Sequence, residues 1–161
     1  ALYEMDRSRA VAALLDRLRH EVATLRAMTD AARDEATSEE SRPENKYDTR
    51  ALEASYLAAG QGQRLLELQQ LTAWAEVALA PGTSHTRGAP GALVHLEGDD
   101  DERWVVLAPR GGPSAPVDEA VVALVSVQSP LGRALLGCVD DDEVEVRRPK
   151  GVIRYAVAEV A

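Results

Sequence analysis

The strongest constraint on this chain is a spacing. From Asp6 to Thr37, Val11, Leu15, Leu18, Val22, Leu25, Thr29, Ala32 and Ala36 recur with alternating gaps of four and three. That is the period of a helix face that pairs with a second helix. The same gaps return from about Glu44 to Ala80, in Leu52, Tyr56, Ala59, Gln63, Leu66, Gln70, Ala73 and Val77. Leu65, Leu68 and Leu71 form a flanking stripe beside them. Gly60 and Gly62 mark a place where a partner helix comes close or the helix bends. Between the two runs lies Thr37 to Arg50, TSEESRPENKYDTR. Pro43 lacks the N–H that a helix interior needs and pushes Arg42 out of helical geometry. The spacing therefore predicts two helices joined by a tight bend, which must lie antiparallel. At 1.5 Å per residue such a hairpin, spanning residues 1–80, is roughly 50 Å long. Its bend displays Glu39, Glu40, Glu44, Asn45 and Asp48.

Pro81-Gly82 ends the second helix, and residues 81–91 read as a linker. After it the period changes to two. Ala92 to Glu97 and Arg103 to Ala108 are expected strands around an acidic turn at Gly98 to Asp101. Arg110 to Pro116 reads as a glycine- and proline-rich loop, and Val121 to Val127 as a buried strand. Ser129-Pro130 opens a short helix, with Ser as N-cap and Pro in its first turn, and Gly137 closes it. Glu143 to Arg148 and Val152 to Val160 are the last strands. The fold class is α+β: a coiled-coil hairpin, then a mainly antiparallel sheet of about five strands with one short helix, over 92–161.

Composition narrows the function. The chain has 161 residues, of which 45% are hydrophobic, and a net charge of −9. Enough apolar surface is present for a core. The negative charge argues against DNA or RNA binding on the chain's own account. It suits a partner with basic surfaces, or a site that needs carboxylates. The single cysteine, Cys138, has no internal disulfide partner and fits a reducing cytosol. No apolar run reaches a membrane span, and Ala1 to Met5 does not read as a signal peptide. Cytoplasmic residence is the expectation.

No self-contained active site emerges. His20, His85 and His95 fall on helix, linker and strand, so a histidine metal cluster is not expected. Cys138 reads as a small buried hydrophobe. Gly111-Gly112 is not a phosphate loop, and Ser126 and Ser129 lack a nucleophile elbow. Trp104 and Tyr155 read as core or half-buried sheet residues. The acids near the bend are different. Stability does not require them there, and a water-exposed carboxylate cluster is a natural partner for Mg²⁺. A lone tip binds the ion weakly, so it matters only inside another protein's half-built metal site.

One resemblance is specific. The run Ser129-Pro130-Leu131-Gly132-Arg133-Ala134-Leu135-Leu136-Gly137, followed by Asp141-Asp142-Glu143-Val144-Glu145-Val146, resembles the C-terminal signature of the bacterial GreA/GreB transcript cleavage factors. The bend resembles that family's tip motif, with Glu44-Asn45 and Tyr47 as the matching residues. The likeness covers nearly the whole chain. It implies an FKBP-like C-terminal domain that docks at the rim of the RNA polymerase secondary channel through the segment holding Gln128, Ser129, Pro130 and Arg133. It implies that the hairpin enters the channel, with Asn45, Tyr47 and Asp48 at the contact. Glu44 and Glu40 or Glu39 then help hold an Mg²⁺ shared with the polymerase, and water is oriented to cleave backtracked RNA near its 3′ end. The factor itself is not an enzyme; it stimulates the nuclease activity of the polymerase. Aligning Glu44-Asn45 with the tip motif sets Ser41 where the family has its first acid, and Tyr47 falls one residue early.

Two roles on this fold stay open: cleavage stimulation, and inhibition of the polymerase without cleavage. A prolyl isomerase would need an aromatic-lined pocket, for which the domain offers only Trp104 and Tyr155. A coiled-coil adaptor or homodimer is a further alternative, though the short bend favours pairing within one chain and a monomer.

Overall fold

A computed structural model describes residues 5–37 and 50–161. Helix α1 is Arg7–Thr37 and helix α2 is Arg50–Ala78. Asp6 caps α1, accepting a hydrogen bond from the Ser8 amide at 3.0 Å, as an N-cap carboxylate does. The two helices form the coiled-coil hairpin. The chain divides into two compact units, residues 19–72 and residues 1–18 with 73–161. No described helix is long and apolar enough to cross a membrane.

The four-three stripe of α1 is the buried one. Val11, Leu18, Thr29 and Ala32 are buried, and Leu15, Val22 and Leu25 are half-buried. On α2 the period is as expected but the phase is not. Tyr56, Leu66 and Val77 of the expected stripe are exposed, Val77 at 77%. The inward positions are Gln61, Leu65, Leu68, Thr72, Ala75 and Leu79, two residues further along. The buried seam thus runs through what reads as the flanking stripe. Thr29 and Thr72 remain satisfied in it because each hydroxyl donates to the carbonyl four residues back, Leu25 and Leu68. Gln61 Oε1 is the one buried side-chain oxygen without a hydrogen-bond partner among the described residues. Gly60 has open space around it, whereas Gly62 lies 3.5 Å, measured from where a Cβ would sit, from the Arg33 guanidinium. Only Gly62 faces the partner helix. A direct check follows from the shifted phase. Val77→Ser should change stability by less than about 0.5 kcal/mol, as exposed substitutions do. Leu79→Ala, at a fully buried position, should cost about 2–5 kcal/mol by denaturant titration.

The sheet has six strands in the order β3-β4-β2-β1-β6-β5. They are β1 Leu93–Glu97, β2 Glu102–Ala108, β3 Ser114–Val117, β4 Ala120–Ser126, β5 Glu143–Arg148 and β6 Gly151–Val160. Three features depart from the sequence expectation. Ser114–Val117, expected as loop, is an edge strand paired antiparallel to β4. Pro116 is tolerated there because an edge strand has one side of its backbone free of ladder bonds. In addition, β4 runs parallel to β2, so the sheet is mixed. Strand β4 is also less buried than its apolar sequence suggests, with Val121 54% exposed.

Helix α3, Pro130–Leu135, covers one sheet face. Leu131, Leu135 and Cys138 pack there with Val94, Leu96, Val105, Leu107, Val144, Val146, Tyr155 and Val157. The opposite face is buried as well, through Leu93, Trp104, Val106, Val122 and Leu124. The bases of α1 and α2 belong to the same compact unit as the sheet. Arg7 fixes the start of α1: it donates to the carbonyls of Thr83, Gly91 and Ala161.

Candidate functional site

The SPLGRALLG run folds as its residue types require. Ser129 takes extended geometry and accepts a hydrogen bond from the Gly132 amide at 3.0 Å. Its hydroxyl donates to the Ser126 carbonyl at 2.7 Å. Pro130 occupies the first turn, and Gly137 follows the helix with φ of 79°, the left-handed turn that glycine adopts without strain. The acidic turn beyond is also structural. The Asp142 carboxylate accepts from the Val139 amide, and Asp140 accepts from the Val160 amide.

These bonds decide what the segment can offer a partner. The Ser129 hydroxyl is fully engaged inside the domain, so its part is to hold its neighbours in place. Gln128, Pro130 and Arg133 are exposed, and Leu136 is 45% exposed beside them. A cavity of about 270 Å³ opens at this helix end, lined by Arg103, Val125, Ser129, Pro130, Arg148 and Tyr155 among others. It adjoins a wider cleft of about 690 Å³ that shares Arg103, Arg148, Ile153 and Tyr155 and adds Asp99, Asp100, Asp101 and Arg154. The result is a groove with an apolar floor and charges of both signs on its walls.

Sequence reading did not single out Arg103 and Arg148 for this groove. The signal was present in the period of two. Arg103 shares its face with Val105 and Leu107, and Arg148 with Val144 and Val146, so both arginines extend the face that α3 covers. Trp104 points the other way. Its ring stacks on His95 with centroids 4.4 Å apart, whereas Tyr155 lies in the α3-side core. The two aromatics therefore line no common pocket, and the isomerase alternative loses the feature it needed. The bend residues Glu39, Glu40, Ser41, Glu44, Asn45, Tyr47 and Asp48 lie outside the described residues.

Burial shifts two nearby groups. The Cys138 thiol is pushed up chiefly by desolvation, which keeps it protonated and inert. His85 is held below the usual imidazole range by desolvation, with the Arg7 charge adding to it.

Two long helices followed by a mixed six-stranded sheet with one capped short helix define an α+β protein with a helical hairpin. Comparison with known proteins gives the family. Residues 90–161 match the family described as transcription elongation factor, GreA/GreB, C-term. The chain is 34% identical to transcription elongation factor GreA of Methylobacterium sp. (strain 4-46) over 149 residues, 92% of this chain and 90% of that one. It is 34% identical to GreA of Nautilia profundicola over 115 residues, covering 66% and 67%. Among solved structures it is similar to GreA factor homolog 1 (Gfh1) of Thermus thermophilus, at 22% identity, 91% and 94% coverage and a TM-score of 0.35. The chain belongs to the GreA/GreB family of transcription elongation factors.

Proposed function

We propose that this elongation factor acts on RNA polymerase as a monomer, docking through its C-terminal domain and presenting the bend of its hairpin inside the secondary channel. The observation that carries this reading is the relationship to a GreA over 92% of the chain at 34% identity, which spans hairpin and domain together. The exposure of Gln128, Pro130 and Arg133 around an internally bonded Ser129 supports this segment as the docking surface. The adjoining groove offers both apolar floor and arginines to a partner helix or loop.

At the bend, Glu44 with Glu39 or Glu40 would face the polymerase active centre, Asn45, Tyr47 and Asp48 lying against its walls. The donors there are carboxylate oxygens, the ligand class that Mg²⁺ takes. When shared with the polymerase, that ion would offset charge at the attacked phosphate of backtracked RNA. The chain's own task is to hold the carboxylates in place and let them accept hydrogen bonds from the attacking water.

A second reading is inhibition without cleavage. Its support is Ser41, which stands where the family tip motif has an acid. Stalled elongation complexes separate the two. The first reading expects faster RNA cleavage on adding the chain, reduced at least about tenfold by combined Glu39→Ala, Glu40→Ala and Glu44→Ala, as loss of transition-state contacts of this kind implies. Unchanged cleavage in that variant removes the catalytic role of the acids. Slower nucleotide addition with no cleavage selects the inhibitor.

A further inference from the structure

We infer that the β1–β2 hairpin carries a binding site for one divalent transition-metal ion of the zinc class, formed by His95, Glu97 and Glu102. Among the described residues these three form a group whose ligand atoms all lie within 4.8 Å of one another. The strand pairing sets this up. Glu97 stands directly opposite Glu102, and His95 opposite Trp104, in the same antiparallel ladder. With a period of two, all four side chains share one face.

Three observations distinguish this group from an ordinary acidic surface. First, it contains an imidazole whose orientation is fixed. The His95 ring lies on Trp104 with an interplanar angle of 8°, and its Nε2 is 3.2 Å from Glu102 Oε1. Second, the imidazole is largely withdrawn from water, the His95 side chain being 14% exposed beside the more open Glu102 at 34%. Third, the two carboxylates stand directly opposite each other across the antiparallel pair, both within reach of the same imidazole. A tetrahedral ion with ligands about 2.0–2.2 Å away brings its donor atoms to about 3.4 Å from one another. The observed spacing, with all ligand atoms within 4.8 Å of one another, is somewhat wider than that. Water would complete the fourth position of a tetrahedral ion.

One nitrogen and two oxygen donors suit Zn²⁺ or its neighbours in the first transition row better than Mg²⁺, which prefers oxygen alone and octahedral geometry. Occupancy would brace β1 against β2 at the turn end of the hairpin, next to the Gly98–Asp101 turn that bounds the charged groove. The site is built from different residues than the bend acids, so it stands or falls separately from the polymerase reading.

The test is calorimetric titration of the Glu39→Ala, Glu40→Ala, Glu44→Ala protein with ZnCl₂, which removes competition from the bend. One ion per chain is expected, with a thermal midpoint that rises with Zn²⁺ concentration. His95→Gln keeps a planar side chain on Trp104, and Glu102→Gln keeps the shape of the third ligand. Each should weaken binding by at least about tenfold, since even indirect supports of a metal are worth that much. Circular dichroism identifies which variants are folded, and either one suffices. No saturable binding in the parent protein, or undiminished binding in a folded variant, overturns the assignment.

Discussion

Gly132→Ala should cost at least about 3 kcal/mol and release α3 from the sheet, more than overpacking a core usually costs. The reason is that nothing near this glycine can move aside. A Cβ on Gly132 would sit 1.8 Å from the Ser126 carbonyl oxygen, 2.7 Å from its carbon and 2.8 Å from the Val127 Cα. All three are backbone atoms. The Ser126 carbonyl is also held by the Ser129 amide at 3.0 Å and the Ser129 hydroxyl at 2.7 Å. Relief therefore requires α3 to lift off the end of β4, withdrawing Leu131 and the fully buried Leu135 from the core. Gly137→Ala is the control. It has no atom within 4 Å of its Cβ position, and it should cost only about 1–2 kcal/mol for its left-handed backbone. Denaturant titration of both variants checks this; a Gly132→Ala protein as stable as its parent would mean that α3 is not seated on β4. The same motif that identifies the family is, at this position, a packing requirement.

Arg7→Met should be the second large effect, at about 3 kcal/mol. The guanidinium donates from Nε to the Thr83 carbonyl at 3.0 Å, and from Nη1 to the Gly91 and Ala161 carbonyls at 2.8 and 3.0 Å. Nη2 donates to the Thr83 hydroxyl at 3.1 Å. Methionine keeps the apolar stem but leaves the part-buried Thr83 and Gly91 carbonyls without this donor, while the Ala161 carbonyl still accepts from the Leu93 amide; a buried acceptor so stranded costs about 1–3 kcal/mol, with partial relief by water. Burial lowers the affinity of Arg7 for its proton, yet an arginine remains charged. Arg7→Lys should rescue little, because one ammonium cannot match a fork that spans separate carbonyls. By contrast the exposed Arg9–Asp118 pair should contribute less than about 1 kcal/mol. Thermal unfolding of the full chain compares these directly. An Arg7→Met protein within about 0.5 kcal/mol of its parent would show that Arg7 does not fix the helix base, since that is the range of ordinary surface changes.

The parts of the fold legible in the sequence are those where one signal stood alone. In α1 the stripe from Val11 to Ala32 is set off mostly by charged positions such as Asp16, Arg17, Arg19, Glu21 and Arg26, so its period was readable, although Ala10 and Leu14 beside it are fully buried as well. In α2 two stripes two residues apart each kept the four-three gaps. The exposed one carries Tyr56, Leu66 and Val77, whereas the buried one includes Gln61 and Thr72. Both stripes mix apolar and polar residues, and the buried one holds Leu65, Leu68 and Leu79; its Thr72 is compatible with burial because the hydroxyl is satisfied by its own helix. Glu143–Arg148 alternates cleanly, and its bounds match the expectation. Ser114–Val117 was hidden because Pro116 marks a loop in most settings, and only the edge position makes it compatible with pairing. The parallel pairing of β4 with β2 depends on a crossover through β3 that no local pattern encodes.

For the site, Ser129, Pro130 and Gly137 were readable because capping chemistry is local. The groove was not, since Arg103, Arg148 and the Asp99–Asp101 turn come from separate strands. Nor was the cluster of His95 with Glu97 and Glu102, because it forms only through the register of β1 against β2.

The most direct measurement is displacement of fluorescently labelled GreA from core RNA polymerase by the unlabelled chain. The account predicts saturable, complete displacement, weakened when Gln128, Pro130 and Arg133 are replaced together in a protein that keeps its fold. A folded chain that leaves GreA bound at every concentration would contradict it.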